Sequence, residues 1–367
     1  PVQPMGVSYN SYLILDEKIA VMDSVDARAA DEWLAKLAHE LDGRSPDYLV
    51  ISHMEPDHSG SILCLAERYP EMQLVGNAKT FAMLRQFFGA KAPTDDRLLE
   101  VGEGETLPLG AHTLHFMLAP MVHWPEVMVA YEETEKILFS ADAFGRFGAL
   151  SRTAGAPWAP QARRYYYNIV GKYGAQVQAL LKKASALEIK TVCPLHGPVL
   201  TGEALGEALR LYDLWSRWQS ESPDDILLAH ASIHGNTARA AELFKQKLEA
   251  KGARVTLCDL TTTEVSYAVA NAFYCGKLVL ACSTYDGGLF PPMEEFLSHL
   301  QAKGFRSRTV GLMENGSWAP AAARLMRAKL EEMKDLRVCG TVVSLRSALS
   351  PASEAQIDAL TTELCAK

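Results

Sequence analysis

Four side chains of the types that bind metal ions lie within six residues of one another: His53, Glu55, Asp57 and His58. They directly follow the apolar run 48–51, which predicts a short buried strand, and the apolar residues after His58 have helical spacing. The four side chains therefore fall on a strand-to-helix turn, where functional residues tend to collect. This stretch predicts a metal site at the mouth of a sheet.

Three further metal-type side chains, His123, Asp142 and His196, each come just after a predicted strand. A single histidine after a strand is more often structural, but here four strand ends supply seven such groups. One ion does not need seven ligands. Three ligands for each of two ions, plus a carboxylate shared between them, is the composition of a two-metal centre with ions about 3.5–4 Å apart. The sequence therefore predicts two metal ions.

Four other histidines are predicted to be structural or exposed. His39 and His299 lie in predicted helices. His112 and His115 are three residues apart on a strand, so they face opposite sides of the sheet.

Three loops of small, hydroxyl and aromatic residues follow predicted strands in the second half of the chain. The first opens a helix, where unpaired backbone N–H groups and the helix dipole favour an anion such as a phosphate. The rings of Tyr285 and Trp318, in the other two loops, suit packing on or beside an isoalloxazine; the alternative is that Trp318 is a core or helix-capping residue. No G-x-G-x-x-G motif is present, so a dinucleotide is not indicated. The predicted cofactor-binding residues are Ser232, Ile233, His234, Gly235, Asn236, Thr237, Ser283, Thr284, Tyr285, Asp286, Gly287, Gly288, Glu314, Asn315, Gly316, Ser317 and Trp318.

Alternating strands and helices position the metal-type residues and predict an α/β layered domain. Strands are predicted at 8–16, 18–23, 48–51, 73–76, 113–118, 136–139 and 191–193, and helices at 27–41, 59–69 and 78–88. A further helix is predicted at 205–218. The polar, proline-containing segment 219–225 after it is predicted to be a linker. The predicted domains are 1–220 and 224–367.

The second half has the pattern of a flavodoxin-like doubly wound sheet, in which the ligand lies beyond the carboxyl ends of the strands. Its strands are predicted at 226–231, 254–258, 278–282, 308–313 and 337–343, and its helices at 238–250, 265–273, 292–302, 320–333 and 352–364.

Composition narrows the class of protein. The 367 residues are 48% hydrophobic and 22% charged, which fits two packed domains. A net charge of -8 argues against a nucleic-acid or anionic-membrane surface. Neither a membrane span nor a signal peptide is visible, so a cytoplasmic location is expected. The seven cysteines form no C-x-x-C pair, which favours a reducing compartment and argues against an attached rubredoxin or zinc ribbon. Because the chain opens at Pro1 almost directly into a predicted strand, we expect that an upstream segment is missing or cleaved.

The spacing His-x-Glu-x-Asp-His resembles the metal loop of the metallo-β-lactamase superfamily, whose zinc hydrolases usually have His-x-His-x-Asp-His. Glu55 stands here in place of the second histidine, and a carboxylate shifts the metal preference from zinc toward iron or manganese. Four successive blocks, at 53–60, 121–126, 138–145 and 195–198, resemble those of the flavodiiron proteins, also called A-type flavoproteins. They read His-Met-Glu-Pro-Asp-His-Ser-Gly, Met-Val-His-Trp-Pro-Glu, Leu-Phe-Ser-Ala-Asp-Ala-Phe-Gly and Leu-His-Gly-Pro.

The resemblance covers essentially the whole chain. It implies a metallo-β-lactamase-like αββα sandwich followed by a flavodoxin-like five-stranded parallel sheet, with two irons per chain and FMN in the three loops. One iron would take His53, Glu55 and His123, the other Asp57, His58 and His196, with Asp142 as the bridge. The segment 163–169 resembles the family segment that carries a tyrosine near the irons, which leaves Tyr165 and Tyr166 as candidates. The chain departs from the family's usual residues at Glu126, where Asp is usual, and at Asp286-Gly287, where Asn is frequent. It also has His234 where ordinary flavodoxins have Thr.

The activity implied by the resemblance is reduction of dioxygen to water, of nitric oxide to nitrous oxide, or of both. The family implies an external electron donor, such as a separate rubredoxin or another reduced carrier. Two alternatives remain: a binuclear metallohydrolase with an appended flavodoxin module, and a plain electron carrier with a non-catalytic first domain. Glu55 argues against the first alternative, and the complete set of seven metal-type side chains argues against the second.

Assembly is expected to involve two chains. A linker of about seven residues spans at most roughly 25 Å, which makes it hard for the flavin edge to meet its own chain's metal site. A head-to-tail homodimer removes this difficulty, and closed two-fold dimers are the commonest oligomers. The family resemblance implies the same arrangement, with a dimer of dimers as a further step.

Overall fold

The computed structural model describes residues 3–366, which divide into one unit from Gln3 to Asp213 and a second unit from Leu214 onward. The division falls within a single helix, Gly202–Ser216.

The first unit contains two sheets. The first sheet has five strands in chain order, with β1 antiparallel to β2 and the rest parallel. These strands, β1 to β5, are Tyr12–Ile14, Ala20–Met22, Tyr48–Val50, Gln73–Gly76 and Leu98–Glu100. The second sheet has the order β11-β10-β9-β8-β7-β6 and is antiparallel except between β9 and β10. Strands β6 to β11 are Thr106–Pro108, Thr113–Leu118, Met128–Glu132, Ile137–Phe139, Thr191–Cys193 and Leu200–Thr201.

Side-chain alternation along the strands builds two apolar layers in the first unit. Met22 and Val50 point between the sheets, where they pack with residues of the second sheet such as Phe116. Their strand neighbours Val21 and Leu49 point to the other face of the first sheet and pack against helices. Because successive strand residues face opposite sides, one sheet serves both layers.

The helices of this unit, α1 to α7, are Ala30–Leu41, Pro56–Ser59, Ile62–Arg68, Ala78–Phe88, Trp158–Tyr165, Gly174–Ala184 and Gly202–Ser216. Helix α4 begins where the Asn77 side chain accepts hydrogen bonds from the amides of Lys79 and Thr80. A π-helical turn, Tyr166–Val170, directly follows α5.

The second unit is built on a parallel sheet. Strands β12 to β17 are Ser222–Ala231, Val255–Asp259, Cys275–Tyr285, Gly288–Leu289, Thr309–Asn315 and Arg337–Leu345. Helices α8 to α12 are Asn236–Ala250, Val265–Tyr274, Pro291–Ala302, Ala322–Glu331 and Pro351–Cys365. The order of the five parallel strands, β13-β12-β14-β16-β17, is the 2-1-3-4-5 order of flavodoxin-like sheets, and the short β15 pairs antiparallel with β14.

Helices cover both faces of the parallel sheet. Ile226 and Leu228 of β12 pack on one face with α8 and α12. Helices α9, α10 and α11 contact the strands on the other side. With both faces covered, the carboxyl ends of the strands are the natural place for a ligand.

The predicted elements differ from the structure in three ways. The first two strands are shorter than predicted, and the predicted helix 59–69 is interrupted between α2 and α3. Strands β5, β6, β8, β11 and β15 and helices α5 and α6 were not predicted. The predicted linker 219–225 is partly a strand, because β12 already begins at Ser222. A register shift between Ser222 and Ile226 accommodates Pro223, which lacks the N–H that a regular ladder needs.

Candidate functional site

The seven metal-type side chains lie in two neighbouring groups. The first group contains His53, Glu55, His123 and Asp142, and the second contains Asp57, His58 and His196. Each group could hold a metal ion, because its ligand atoms all lie within 4.8 Å of one another.

Asp142 is shared by the two groups through its two carboxylate oxygens. Its Oδ2 atom lies 3.0 Å from His123 Nε2 and 3.6 Å from His53 Nε2. Its Oδ1 atom lies 3.2 Å from His58 Nε2 and 3.5 Å from His196 Nε2. A carboxylate that offers one oxygen to each group has the geometry of a bridging ligand.

The spacing of the ligand atoms fits a pair of ions. Ion-pair distances within the groups run from 3.0 to 3.6 Å. Ligands about 2.0–2.2 Å from a common ion are separated by about 3.0–3.5 Å. In addition, Asp57 Oδ1 is buried and has no hydrogen-bond partner among the described residues. Buried anionic oxygens without donors are costly unless a cation compensates them.

Four strand ends deliver these side chains. His53 and Glu55 follow β3, and Asp57 and His58 lie in the short helix α2 directly after them. The loop after β7 carries His123, while Asp142 and His196 follow the parallel neighbours β9 and β10. The turn at Asp142 is closed by a hydrogen bond from the Gly145 amide to the Asp142 carbonyl, and Tyr212 Oη accepts a bond of 2.6 Å from the Phe144 amide.

Two imidazoles are held with their Nε2 atoms directed at the carboxylates of the cluster. His53 Nδ1 lies 2.7 Å from Glu126 Oε1, and His196 Nδ1 lies 2.7 Å from the Ser8 carbonyl oxygen. Because a carbonyl or a carboxylate accepts, both Nδ1 atoms donate, so Nε2 is the atom of each ring that would bind a metal once its proton is lost. This is the arrangement that fixes a metal-binding histidine.

Charge pairing dominates the electrostatics of the empty cluster. Burial works to raise the pKa of Asp142, yet the neighbouring imidazoles of His58 and His123 hold that pKa well below its ordinary value. Burial likewise opposes charge on Glu55, but His123 and His53 lower its pKa to about 2. Burial would lower the pKa of His53, but its hydrogen bonds with Glu126 and Glu55 raise it to about 10. The carboxylates of the cluster are therefore held in their charged form, which is the form that binds a cation.

One of the two candidate tyrosines faces the cluster. The Tyr165 ring lies 5.5 Å from the His196 ring between centroids. Burial, followed by the charges of Asp142 and Asp57, raises the pKa of Tyr165 well above its ordinary value, so its phenol stays protonated. Tyr166 instead packs against the rings of Tyr167 and Tyr212, each with a centroid distance of 5.1 Å.

Sequence reasoning missed two aromatic neighbours of the ligands. The Tyr9 ring lies edge-on to His58 and His196, with centroid distances of 6.5 and 6.0 Å, and it also lines a cavity of about 740 Å³. Trp124 lies edge-on to His53 at 5.1 Å. Trp124 could have been singled out because it directly follows His123, whereas no local signal marks Tyr9.

The histidines predicted to be structural or exposed lie outside both ligand groups. His112 Nδ1 is 2.7 Å from Asp16, and His115 Nε2 is 2.8 Å from the exposed Glu133. Neither His39 nor His299 belongs to a metal-type group among the described residues.

The three predicted cofactor loops meet around a cavity of about 490 Å³ at the carboxyl ends of the parallel strands, a size typical of ligand pockets. Of the predicted residues, Gly235, Gly288 and Glu314 do not line it. Glu314 instead accepts hydrogen bonds from the Ala323 amide and the Ser344 hydroxyl. The lining residues are Ser232, Ile233, His234, Asn236, Thr237, Ser283, Thr284, Tyr285, Asp286, Gly287, Asn315, Gly316, Ser317, Trp318, Ala319 and Ser347, of which Ala319 and Ser347 were not predicted.

The chemistry of this cavity fits a phosphate-bearing flavin. The amino terminus of α8 has no side-chain cap, so its first amides are available to an anion. Across the cavity, Trp318 is 88% exposed and Tyr285 is 45% exposed, so both rings are free to pack on an aromatic ligand. The exposure excludes the alternative that Trp318 is a core residue.

Hydrogen bonds between the three loops fix their relative positions. Thr237 Oγ1 lies 2.9 Å from Ser283 Oγ and accepts a bond of 3.2 Å from Asn315 Nδ2. Asn315 also donates to the Ser347 carbonyl, and its Oδ1 atom accepts from the Ser347 amide. Thr237 is itself 1% exposed, so its hydroxyl links the loops.

Comparison with known proteins identifies relatives of both units. The family described as ODP family beta lactamase matches residues 7–197. The nitric oxide reductase of Moorella thermoacetica is 27% identical over 338 residues, which are 90% of this chain and 83% of the relative. The structure of rubredoxin oxygen:oxidoreductase from Desulfovibrio gigas matches with a TM-score of 0.91 and 25% identity, over 99% of this chain and 91% of that one. That of the flavodiiron protein from Giardia intestinalis matches with a TM-score of 0.87 and 25% identity, over 98% and 89%.

These similarities confirm the predicted fold class, a metallo-β-lactamase-like unit followed by a flavodoxin-like unit. The chain spans 83% of the length of some curated relatives and 56% of others. None of the described helices combines the length and the hydrophobicity needed to cross a membrane.

Proposed function

This chain belongs to the ODP family of beta lactamases and is a flavodiiron protein, and from that membership we propose that it reduces dioxygen to water, nitric oxide to nitrous oxide, or both. The single observation that carries the proposal is the carboxylate of Asp142, which offers one oxygen to each ligand group. A shared carboxylate between two nitrogen and oxygen ligand sets suits a pair of iron ions.

The proposed metal centre has two irons per chain. One would be held by His53, Glu55 and His123 and the other by Asp57, His58 and His196, with Asp142 between them. Such a pair would supply redox chemistry toward a diatomic gas. Because each position has carboxylate ligands, the site is harder than the histidine-rich site of a zinc hydrolase. The metallohydrolase alternative is therefore not favoured.

Electrons would reach this centre through FMN bound in the cavity of the second unit. The uncapped amides at the start of α8 would take the phosphate, and Tyr285 and Trp318 would pack near the isoalloxazine. The proposal assigns metal chemistry to the domain 1–220 and flavin binding to the domain 224–367.

The chain's own residues would supply orientation and protons. Reduction of dioxygen to two waters consumes four electrons and four protons, and reduction of two nitric oxides to nitrous oxide and water consumes two of each. Glu126 and the Ser8 carbonyl fix the tautomers of His53 and His196. Tyr165 holds a protonated phenol beside His196 and is our candidate for hydrogen-bond donation toward the bound gas.

The experiment combines analysis of metal and flavin with rapid mixing of the reduced protein with each gas. We expect about two irons and one FMN per chain, and oxidation of the reduced protein by dioxygen, nitric oxide or both. Asp142→Asn should lose iron and gas reduction. Asp95→Asn, which changes an exposed carboxylate paired with Arg85, should lose neither. A native protein with zinc and no iron, or an active Asp142→Asn protein, would contradict the proposal.

The proposed active assembly is a cytoplasmic head-to-tail homodimer that receives electrons from a reduced rubredoxin or another reduced carrier. Closed two-fold dimers are the commonest oligomers, which supports an assembly in which two chains form the catalytic unit.

Hybrid dimers test this assembly. Asp142→Asn protein and Gly235→Val protein are mixed under conditions that allow subunit exchange, at an FMN concentration that fills the wild-type flavin site but leaves the weaker Gly235→Val site mostly empty, so that neither variant is active alone. In each hybrid, one of the two sites pairs intact metal ligands with an intact flavin loop, so activity should return. Hybrids that stay inactive despite proven exchange would refute transfer between chains.

A further inference from the structure

The two ligand groups have the same composition of ligand types. Each has two imidazoles, one carboxylate of its own and one oxygen of Asp142. Ions of one kind would therefore meet the same ligand types in both positions. A difference between the metal affinities of the two groups must therefore come from residues that contact the ligating side chains on the side away from the metal.

Those groups differ. In the first group, His53 Nδ1 donates to Glu126 Oε1 at 2.7 Å, and this carboxylate is 1% exposed. In the second group, His196 Nδ1 donates to a neutral acceptor, the Ser8 carbonyl. His58 Nδ1 has no hydrogen-bond partner among the described residues. A buried charge thus supports an imidazole of the first group, while a peptide carbonyl supports one of the second.

Glu126 is held firmly in this role. Its Oε1 atom also accepts a bond of 2.9 Å from the Met54 amide, within the loop that carries His53. Its own carbonyl oxygen accepts a bond of 2.7 Å from Asn77 Nδ2, and Asn77 caps the helix α4. The carboxylate therefore fixes both the His53 ring and the backbone beside it, from a position tied to a neighbouring helix.

We propose that Glu126 is a positioning residue that makes the group of His53, Glu55, His123 and Asp142 the tighter of the two metal sites, so that metal ions fill the centre in a fixed order. The inference rests on the proposed two-metal function. A carboxylate behind a ligating imidazole fixes its tautomer and raises its basicity, and loss of such a partner typically lowers metal affinity about 10- to 100-fold.

The test is a titration of the metal-free protein with Co²⁺, followed by calorimetry and by the visible absorption of the bound ion. The wild-type protein should bind two ions in two resolved steps. Glu126→Gln keeps the size of the side chain and an acceptor for the Met54 amide but removes the charge. It should weaken the tighter step about 10- to 100-fold and leave the weaker step unchanged.

Two further variants separate charge from structure. Glu126→Asp keeps the charge and should retain more affinity in the tighter step than Glu126→Gln. Glu133→Gln is the matched control, because Glu133 also contacts an imidazole, that of half-buried His115, at 2.8 Å but lies outside the cluster. It should leave both steps unchanged. If Glu126→Gln does not fold, as judged by thermal unfolding, Glu126→Asp carries the test. Its shorter side chain withdraws the carboxylate from His53 Nδ1, so the tighter step alone should weaken relative to the wild type, and equal weakening of both steps would overturn the proposal.

The outcomes distinguish this inference from the proposed function. Unchanged steps in folded Glu126→Gln, or a tighter step that is weaker in Glu126→Asp than in Glu126→Gln, would overturn the role of the charge. Two equal steps in the wild-type protein would overturn the fixed order alone. A wild-type protein that binds no Co²⁺ would instead overturn the proposed metal centre.

Discussion

Gly235→Val should weaken FMN binding by about 5- to 30-fold without disturbing the metal centre. Gly235 precedes α8 with a φ of +82°, in the left-handed region that side chains other than glycine rarely adopt. A Cβ atom built there has no heavy atom within 4 Å, so the Cβ itself meets no steric clash. The main perturbation is therefore one of backbone conformation.

The magnitude follows from the cost of that conformation. A left-handed conformation costs an L-residue roughly 1–2 kcal/mol. The Gly235 amide donates a bond of 3.1 Å to the Ser232 hydroxyl, and no described side chain caps α8. We expect the loop to relax in the free protein and to regain its conformation when FMN binds. The strain then appears in the affinity, at about tenfold for each 1.4 kcal/mol.

The assay is titration of flavin-free protein with FMN, followed by the quenching of flavin fluorescence. Gly252→Val is the matched control, because Gly252 has a φ of +85° and likewise no atom within 4 Å of an added Cβ. It follows the far end of α8, away from the cavity. It should lower the free energy of unfolding by roughly 1–2 kcal/mol and leave the Kd for FMN unchanged.

Two results would refute the reasoning. A Gly235→Val protein with the wild-type Kd would show that the loop conformation is not used in FMN binding. An equal loss of affinity in Gly252→Val would show that general destabilisation of the second unit, rather than the loop, controls the affinity.

Three further predictions concern the packing and the polar contacts of the two units. Thr237→Val should weaken FMN binding several-fold while Thr237→Ser retains it, since each lost hydrogen bond costs about 1 kcal/mol; the same FMN titration decides, and equal affinities would contradict the linking role of the hydroxyl. Phe116→Ala should lower the free energy of unfolding of the first unit by about 3–5 kcal/mol, because the ring is fully buried between the sheets; denaturant unfolding measures the change, and a loss under about 1 kcal/mol would argue against that packing. Burial lowers the pKa of His230 in the folded protein, so the unfolded chain binds the proton first and the free energy of unfolding should fall as the pH drops below about 6.5. Thermal unfolding across that range should show a smaller loss of stability in His230→Leu than in the wild type. An identical loss would exclude His230 as the cause.

Strand periodicity made the positions of the metal-type residues predictable. Leu49 packs into one apolar layer and Val50 into the other, so both side chains are fully buried. A short run of consecutive apolar residues therefore indicates a buried strand here, whichever strands pair with it. A side chain just past such a strand lies at the carboxyl end of that strand, and parallel neighbours such as β9 and β10 place their carboxyl ends side by side. Their spacing along the chain was enough to predict that the seven side chains meet, although their role as ligands remains a proposal.

Long-range contacts were not predictable in the same way. Tyr9 reaches His196 because Asn10 bonds to the carbonyls of Leu195 and Gly197, almost two hundred residues away. No local pattern encodes that pairing. Strand β8 was also missed, because all five of its residues are buried and the alternation that marks a half-exposed strand is absent.

The direction of each side chain within a loop was also not predictable from the sequence. The three cofactor loops were predicted as continuous stretches, yet Glu314 turns away from the cavity to accept bonds from Ala323 and Ser344. Ser347 lines the cavity from the end of β17, where it is tied to Asn315. Whether a loop residue faces the ligand depends on the hydrogen bonds of its neighbours, which residue type alone does not specify.

The charge of the cluster gives a physical reason for Glu55, which stands where zinc hydrolases of the superfamily usually have a histidine. Four carboxylates contact its imidazoles: Glu55, Asp57, Asp142 and Glu126. Their four negative charges balance two divalent cations, so the filled cluster would be neutral. Neutrality matters because an uncompensated charge in a buried site is costly. With a histidine at position 55, the same pair of ions would leave an excess positive charge, and oxidation of either ion would increase it. The carboxylate at position 55 therefore suits a centre whose ions gain and lose electrons better than one whose ions keep a fixed charge.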